Sequence, residues 1–134
     1  MGYLIDSDWV VDHLAGEEEA NNLLSQLSDD GIAISIITYL EIYQGVLRSP
    51  TPEAAEQKLT AFVDTVSILS ITPAVARRCA RIREMLRKQR KEFRRRAFDL
   101  LIAATALEHN LTLVTRNRED YEDVLNLRFY HPSF

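Results

Sequence analysis

The sequence predicts an α/β fold built on a mostly parallel sheet. Brief apolar segments alternate along the chain with longer segments of helical composition. The brief segments are apolar on consecutive residues, as in IAISII over residues 32–37, which is typical of strands covered on both faces. Because the chain has 134 residues and 46% hydrophobic content, we expect one domain with its own core, spanning residues 1–134.

The first predicted elements are a strand over Tyr3–Ile5 and a helix that begins soon after it. The strand sequence YLI is apolar, and either Ser7 or Asp8 could cap the helix that follows. A second helix is predicted over residues 17–27, with leucines on one side and three glutamates in its first turn. Acidic side chains at that end interact favourably with the helix dipole.

The middle of the chain is predicted to contain a second strand and two further helices. The strand covers residues 32–37, where β-branched side chains are frequent. Thr38 then caps a helix that reaches about Val46, since its spacing to Glu41 fits the capping box T-x-x-E. The next helix is predicted over residues 52–63, with a proline in its first turn.

The second half of the chain is predicted to continue the alternation. Thr72 and Pro73 suit the N-cap and first position of a long helix that reaches about Lys91. A further helix is predicted over residues 98–109, and Asn110 can end it. Three short strands complete the pattern, over residues 67–70, 111–115 and 127–130.

The positive charge of the chain is concentrated in one block. The net charge is -4, but 11 of the 16 Lys and Arg residues fall between Arg77 and Arg96. Only Glu84 and Glu92 oppose them there. The block is either a solvated helix face or a surface that binds a polyanion, because clustered Arg and Lys attract phosphate backbones.

Acidic and amide side chains follow the predicted strands or interrupt apolar helices. They are Asp6, Glu41, Asp99 and the pair Asn117 and Asp120. Each has an ordinary structural explanation when taken alone, but ligands of parallel sheets bind at the carboxyl ends of the strands. Carboxylates gathered there repel one another unless a cation neutralises them. Mg²⁺ or Mn²⁺ suits such oxygen ligands, so hydrolysis of a nucleic-acid backbone is the predicted chemistry.

Four segments of the chain resemble the PIN-domain ribonucleases, and within them the VapC toxins of type II toxin-antitoxin pairs. The segments are DSD after the first strand, ITYLEIYQG, FDLLIAATAL and TRNREDY. The resemblance covers nearly the whole chain, and DLLIAATAL is its most specific part. It implies a three-layer α/β/α sandwich whose mostly parallel central sheet has four or five strands.

The resemblance also implies a metal-dependent active site. Asp6, Glu41 and Asp99 correspond to the acids that hold Mg²⁺ or Mn²⁺ in the family. The fourth acidic position falls in TRNRED, where this chain has Asn117 and, three residues later, Asp120. Either residue can complete the site.

Further residues are expected to support the acids or the substrate. Thr38 and Thr115 match family hydroxyls that orient the acids. Ser7 and Asp8 stand where the family usually has Thr-Asn, so Asp8 adds a negative charge, for which we favour a supporting role. Arg116 is expected to contact the scissile phosphate. Further contacts to the substrate are expected from the basic block, through Arg94, Arg95 and Arg96.

The expected partners are an RNA substrate, a second copy of the chain and a cognate VapB-type antitoxin, in a heterotetramer or larger assembly. An apolar partner surface is predicted on the helices over 38–46 and 52–63. The protein is expected in the cytoplasm, since no apolar run reaches the roughly 20 residues that a membrane helix needs.

Two other functions compete with an RNA-cleaving toxin. A PIN-like domain that binds RNA or protein without cutting would be expected to have lost one or more of the acids. A haloacid-dehalogenase-type phosphatase also begins with an apolar strand followed by D-x-D, but it needs a lysine near a later strand end. The lysines of this chain, Lys58, Lys88 and Lys91, do not stand in that context.

Overall fold

The computed structural model describes residues 2–131 and has the predicted α/β architecture, a parallel sheet with helices on both faces. The strands are β1 (Tyr3–Ile5), β2 (Ile32–Ser35), β3 (Ser67–Leu69) and β4 (Thr112–Val114). The helices are α1 (Ser7–Leu14), α2 (Glu18–Leu27), α3 (Ile36–Arg48), α4 (Pro52–Val63), α5 (Pro73–Lys88) and α6 (Ala97–Glu108). Short 3-10 turns cover Ser28–Asp30, Arg94–Arg96 and Arg118–Asp120.

The described strands form one sheet in the order β3-β2-β1-β4, and every pairing is parallel. The central strand β1 pairs Tyr3 with Ile32 on one side and with Thr112 on the other. The fifth strand predicted over residues 127–130 is reduced to a single parallel bridge between Leu113 and Phe129. Four or five strands were expected, and the sheet of residues 2–131 has four.

Two hydrophobic cores lie on opposite faces of the sheet. Neighbouring strand residues point to opposite faces. Thus Leu4 packs in the core beneath α5 and α6, while Ile5 packs in the core formed with α1 to α4. Ala33 and Ile34 of β2 divide in the same way, as do Leu113 and Val114 of β4. The consecutive apolar residues of the strands are therefore explained by burial on both sides.

The helices that follow β1 and β2 begin earlier than predicted. The Asp6 carboxylate accepts a hydrogen bond from the Ser7 backbone N–H at 2.8 Å and is the N-cap of α1, so neither Ser7 nor Asp8 has that position. Strand β2 ends at Ser35, whose hydroxyl accepts from the Ile37 N–H at 3.0 Å. The prediction of Thr38 as the N-cap is therefore wrong, and Thr38 lies buried inside α3.

The other boundaries agree closely with the predictions. Helix α4 has the predicted bounds, and Thr72 caps α5 by accepting from the Val75 N–H at 3.2 Å. Helix α5 ends at Lys88, three residues before the predicted end. Asn110 has a φ of 56° directly after the last turn of α6, in the left-handed conformation that commonly ends helices.

Candidate active site

The order of the strands in the sheet determines where the candidate active site lies. The chain moves from β1 to β2 on one side and later returns to the other side of β1 with β4. At such a reversal the connections leave the sheet in opposite directions and open a crevice at the carboxyl ends of the strands. Asp6 directly follows β1, and Thr115 directly follows β4, so both lie at this crevice.

Asp6 is the centre of the hydrogen bonding at this edge. Its side chain is 6% exposed, and a buried carboxylate requires donors in place of water. The Ser7 N–H donates to Oδ1, the Thr115 hydroxyl donates to Oδ2 at 2.8 Å, and the Tyr121 hydroxyl donates to Oδ2 at 3.0 Å. These donors hold the carboxylate in one orientation.

Asp99 and Glu41 bring two more carboxylates to the same edge. Asp99 lies in the first turn of α6. The pKa of its carboxyl group is raised, mainly by burial and also by the charge of Asp6. Burial also raises the pKa of Glu41, as do the charges of Asp6 and Asp99, while the Ser7 side chain opposes the rise. The three acids that the sequence predicts as metal ligands therefore influence one another electrostatically.

The donor chemistry of this edge fits a divalent cation. Three carboxylates of like charge face a common region, and the buried Thr38 hydroxyl has no hydrogen-bond partner among the described residues. Within residues 2–131, however, no three acidic, His or Cys side chains are already arranged to hold a metal ion. The carboxylates must turn toward one another before they can share an ion.

The Tyr121 hydroxyl occupies the position between two of these acids, and sequence reasoning missed it. It lies 3.0 Å from Oδ2 of Asp6 and 3.4 Å from Oδ1 of Asp99, and the side chain is 1% exposed. Burial and the charges of Asp6 and Asp99 raise the pKa of Tyr121, so the phenol stays protonated and donates. The only sequence signal was an aromatic residue with a polar tip at the end of TRNREDY.

The two candidates for the fourth position are placed differently. Asp120 lies close enough for its charge to raise the pKa of Asp99, after the larger effects of burial and Asp6. Asn117 donates its backbone N–H to the Thr115 hydroxyl at 3.0 Å and accepts from the Asp120 N–H. Asn117 thus shapes the turn after β4, whereas Asp120 contributes charge at the acidic edge.

Asp8 and Arg116 connect the start of α1 to the loop after β4. The Asp8 carboxylate accepts from the backbone N–H groups of Trp9 and Arg116, at 2.8 and 3.1 Å. The Arg116 guanidinium lies 3.8 Å from the Trp9 ring centroid and forms ion pairs with Asp12 and Glu19. The predicted contact of Arg116 with a phosphate would require the guanidinium to leave both acids. Asp8 joins α1 to the loop after β4 through these bonds, and its supporting role in the site stays a prediction.

Arg96 is also engaged within the protein. Its guanidinium donates to both carboxylate oxygens of Asp123, at 2.6 and 2.8 Å, and to the Asp120 carbonyl at 2.8 Å. It therefore ties the segment before α6 to the turn that carries Asp120. The side chains of Arg94 and Arg95 are exposed. Of the three predicted substrate contacts in this segment, Arg96 is the one that the fold already uses.

We expect Asp123→Asn to lower the free energy of unfolding by about 1–2 kcal/mol at pH 7. Arg96 would lose the charged carboxylate that accepts two of its hydrogen bonds, and both side chains are only 20% exposed. Hydrogen bonds from Arg96 hold the pKa of Asp123 below its ordinary 3.8. The stabilisation is therefore complete above that pH and is lost as the pH falls below it. Urea unfolding of both proteins between pH 7 and pH 3 measures the difference.

Glu84→Gln is the matched control, because it removes a pair with Arg87 that is exposed on one helix. It is expected to change stability little at any pH. An equal loss in the two variants, or a loss for Asp123→Asn that persists unchanged at the lowest pH, would contradict the assignment.

Comparison with known proteins identifies the family. The PIN-domain family model matches residues 3–124, a range that includes every acid of the candidate site. This chain belongs to the PIN-domain family. The PIN domain is 30% identical to the tRNA(fMet)-specific endonuclease VapC of Shigella flexneri over 128 residues, which are 96% of each chain. It is also 30% identical to ribonuclease VapC2 of Rickettsia felis, over 95% of each chain.

Solved structures agree with this assignment of the PIN domain. VapBC2 from Rickettsia felis, bound to a DNA fragment from its promoter, has a TM-score of 0.87 at 27% identity. The match covers 99% of this chain and 100% of that one. FitAcB from Neisseria gonorrhoeae has a TM-score of 0.81 at 26% identity, over 96% of each chain. The resemblance to VapC-type PIN domains and the predicted fold are both confirmed.

Proposed function

We propose that this PIN domain is a metal-dependent endoribonuclease that acts as the toxin of a VapBC-type toxin-antitoxin pair. The observation that carries the proposal is that Asp6 and Asp99 share the Tyr121 hydroxyl at the carboxyl edge of a parallel sheet, and that the charges of both raise the pKa of Glu41. Relatives of nearly the same length, named as VapC ribonucleases, support the same activity.

The residues of the site would act by holding and orienting. Asp6, Glu41 and Asp99 would bind Mg²⁺ or Mn²⁺, which supplies an activated water and neutralises charge on the leaving oxygen. Thr115 and Tyr121 keep the Asp6 carboxylate in one orientation through their hydrogen bonds to Oδ2. Attack in line with the 3′-oxygen leaves a 5′-phosphate and a 3′-hydroxyl on the products.

The competing functions have less support. A binding domain without catalysis has no need for carboxylates whose pKa is raised by burial and by a neighbouring acid, as it is for Glu41 and Asp99, and this chain keeps all three acids. A phosphatase that uses the first aspartate as a nucleophile needs that side chain free to attack. Here Asp6 caps α1 and accepts from two further hydroxyl groups.

The partner surfaces are proposed on the face opposite α5 and α6. An apolar groove lies between α1, α3 and α4, lined by residues such as Val11, Ile42 and Ala55. We assign it to the antitoxin, in keeping with the predicted surface on α3 and α4. Leu40 and Leu47 lie on the same face of α3 and are 46% and 64% exposed. Exposed apolar side chains on one face suit contact with a second copy of the chain.

No helix within residues 2–131 is long and apolar enough to cross a membrane. A toxin that cuts cellular RNA and is restrained by an antitoxin would meet both in the cytoplasm, where we place it.

A cleavage assay tests the proposed function. The purified protein is incubated with total cellular RNA and Mg²⁺, or with the same RNA and EDTA, and the new ends are mapped. We expect defined cuts only with Mg²⁺, each leaving a 5′-phosphate that a phosphate-dependent exonuclease degrades. Cuts that persist in EDTA, or an absence of cuts at any concentration of Mg²⁺ or Mn²⁺, would contradict the proposal.

A further inference from the structure

The end of α5 and the segment after it carry cations that have no acidic partner in a salt bridge within residues 2–131. We call them the basic face: Arg83, Lys88, Arg90, Lys91, Arg94 and Arg95. Other residues of the same block form ion pairs, namely Arg78 with Glu108, Arg87 with Glu84 and Arg96 with Asp123. No residue of the basic face forms a salt bridge with an acid of residues 2–131. A solvated helix stabilised by ion pairs therefore explains only part of the block.

An aromatic side chain lies within the basic face. Phe93 is half-buried, with the Arg83 guanidinium 5.1 Å and the Arg94 guanidinium 5.6 Å from its ring centroid. Beside it is a hollow between α5 and α6, lined in part by Cys79 and Leu101. Proteins that bind single-stranded nucleic acid combine cations, which contact the phosphates, with aromatic rings, on which any base can stack. The basic face offers both, beside an apolar hollow.

The basic face adjoins the acidic site. Arg94 and Arg95 belong to the 3-10 turn Arg94–Arg96 that leads into α6, and Asp99 lies in the first turn of that helix. A carboxylate cluster in a chain of net charge -4 repels RNA, so cations near the cluster are needed to hold the strand. Arg116 and Arg128 contact Asp12 and Asn110, and Arg118 lies against His131 and the Phe129 ring. The basic face, in contrast, includes two exposed cations in the turn that leads into α6.

We propose that the basic face and Phe93 bind a single-stranded stretch of the RNA substrate next to the scissile bond. This inference rests on the proposed function. It also assigns different roles to the arginines of the segment before α6. Arg94 and Arg95 contact RNA, whereas Arg96 stabilises the fold through its ion pair with Asp123.

RNA binding without cleavage tests the proposal. A fluorescein-labelled, unstructured RNA of about 15 nucleotides is titrated in EDTA over a series of salt concentrations, and anisotropy gives the Kd. Arg94→Gln/Arg95→Gln is expected to weaken binding about tenfold and to reduce the log-log salt slope by about 1.4, since each phosphate contact to a single strand contributes about 0.7. Phe93→Leu is expected to weaken single-strand binding about fivefold and to leave duplex binding unchanged.

The matched control is Arg48→Gln/Arg77→Gln, which removes the same charge from exposed positions on α3 and α5 outside the basic face. If it weakens binding as much as the first pair, only net charge matters and the proposal fails. If Arg94→Gln/Arg95→Gln keeps its RNA affinity but loses affinity for the antitoxin, the face binds an acidic protein and the proposal is also overturned. Cleavage by the parent with Mg²⁺ is scored separately, so a parent that binds RNA here without cutting it refutes the proposed function alone.

A second inference concerns Tyr121, on independent observations. Its hydroxyl reaches Asp6 and Asp99 together and is a donor placed between these like charges. We infer that Tyr121 is a positioning residue that keeps the two carboxylates beside each other, so that a small movement brings both onto a divalent cation. The ring is packed in the core beneath α5 and α6, which keeps the hydroxyl in place.

Tyr121→Phe tests this inference, because it removes the hydroxyl and keeps the ring. Calorimetric titration of the protein with Mn²⁺ is expected to give a Kd about tenfold higher than for the parent, the usual effect of losing a hydrogen bond to a metal ligand. Tyr43→Phe is the control, since the Tyr43 hydroxyl bonds to Glu56 at an exposed site. An unchanged or lower Kd for Tyr121→Phe, in protein that is still folded, would overturn the inference.

Discussion

Asp99→Asn is expected to reduce Mg²⁺-dependent RNA cleavage at least a hundredfold, or about 2.7 kcal/mol in activation free energy, and to leave the fold intact. The amide has the shape of the carboxylate but not its charge, so the cation loses one of its three proposed ligands. Because burial and Asp6 raise the pKa of Asp99, its charge is unfavourable in the metal-free fold. The metal-free variant should therefore be at least as stable as the parent.

The measurement pairs cleavage rates with urea unfolding in EDTA. Asp29→Asn is the control, because Asp29 is an exposed acid in a 3-10 turn outside the proposed site. The control should cleave like the parent. If Asp99→Asn cleaves as fast as the parent, Asp99 is not a ligand and the proposed site is wrong. If the variant is unfolded, the expectation about its stability is wrong, and Asp99→Glu then tests the ligand role.

Addition of Mn²⁺ to metal-free protein is expected to raise the thermal midpoint by roughly 10 °C at a hundred times the Kd. A ligand that binds only the folded state adds about 2.7 kcal/mol at that concentration, and a chain of this size gains a few degrees for each kcal/mol. The physical source is the repulsion among Asp6, Glu41 and Asp99, which the cation removes.

Differential scanning fluorimetry with and without Mn²⁺ measures the shift, and it is independent of catalysis. Asp99→Asn should lose most of the shift, while Asp29→Asn should keep it. An equal shift in Asp99→Asn would place the ion elsewhere on the surface. The absence of any shift in the parent would show that the acidic edge does not bind Mn²⁺ at the concentrations used.

Sequence reasoning located most of the fold because the signals are local. Consecutive apolar residues predicted strands buried on both faces, and Leu4 and Ile5 do enter different cores. The start of α3 was missed because Ser35 and Thr38 are both hydroxyl residues able to cap a helix. The choice between them depends on where the chain leaves the sheet, and β2 pairs with β3 only as far as Ser35.

The partners of the arginines could not be predicted from spacing. Arg116 follows an acidic site in sequence, which suggested a phosphate contact, but its ion-pair partner Asp12 is 104 positions away. Arg96 belongs to a run of three arginines, and its partner Asp123 is 27 positions away. Nothing in the run distinguishes the arginine that stabilises the fold from the two that are exposed.

The sequence alone placed Asp6 at the functional edge, since a residue that directly follows a parallel strand emerges at the carboxyl side of the sheet. Glu41 and Asp99 lie on helices, and the family resemblance named them as companions of Asp6. The sequence also determined that the cations form one block. Only the tertiary structure decided how the acids are held. Tyr121 reaches Asp6 across 115 positions of the chain, and Thr115 reaches it across 109. Contacts of that separation depend on the packing of the whole chain, because no local pattern sets which side chain meets which.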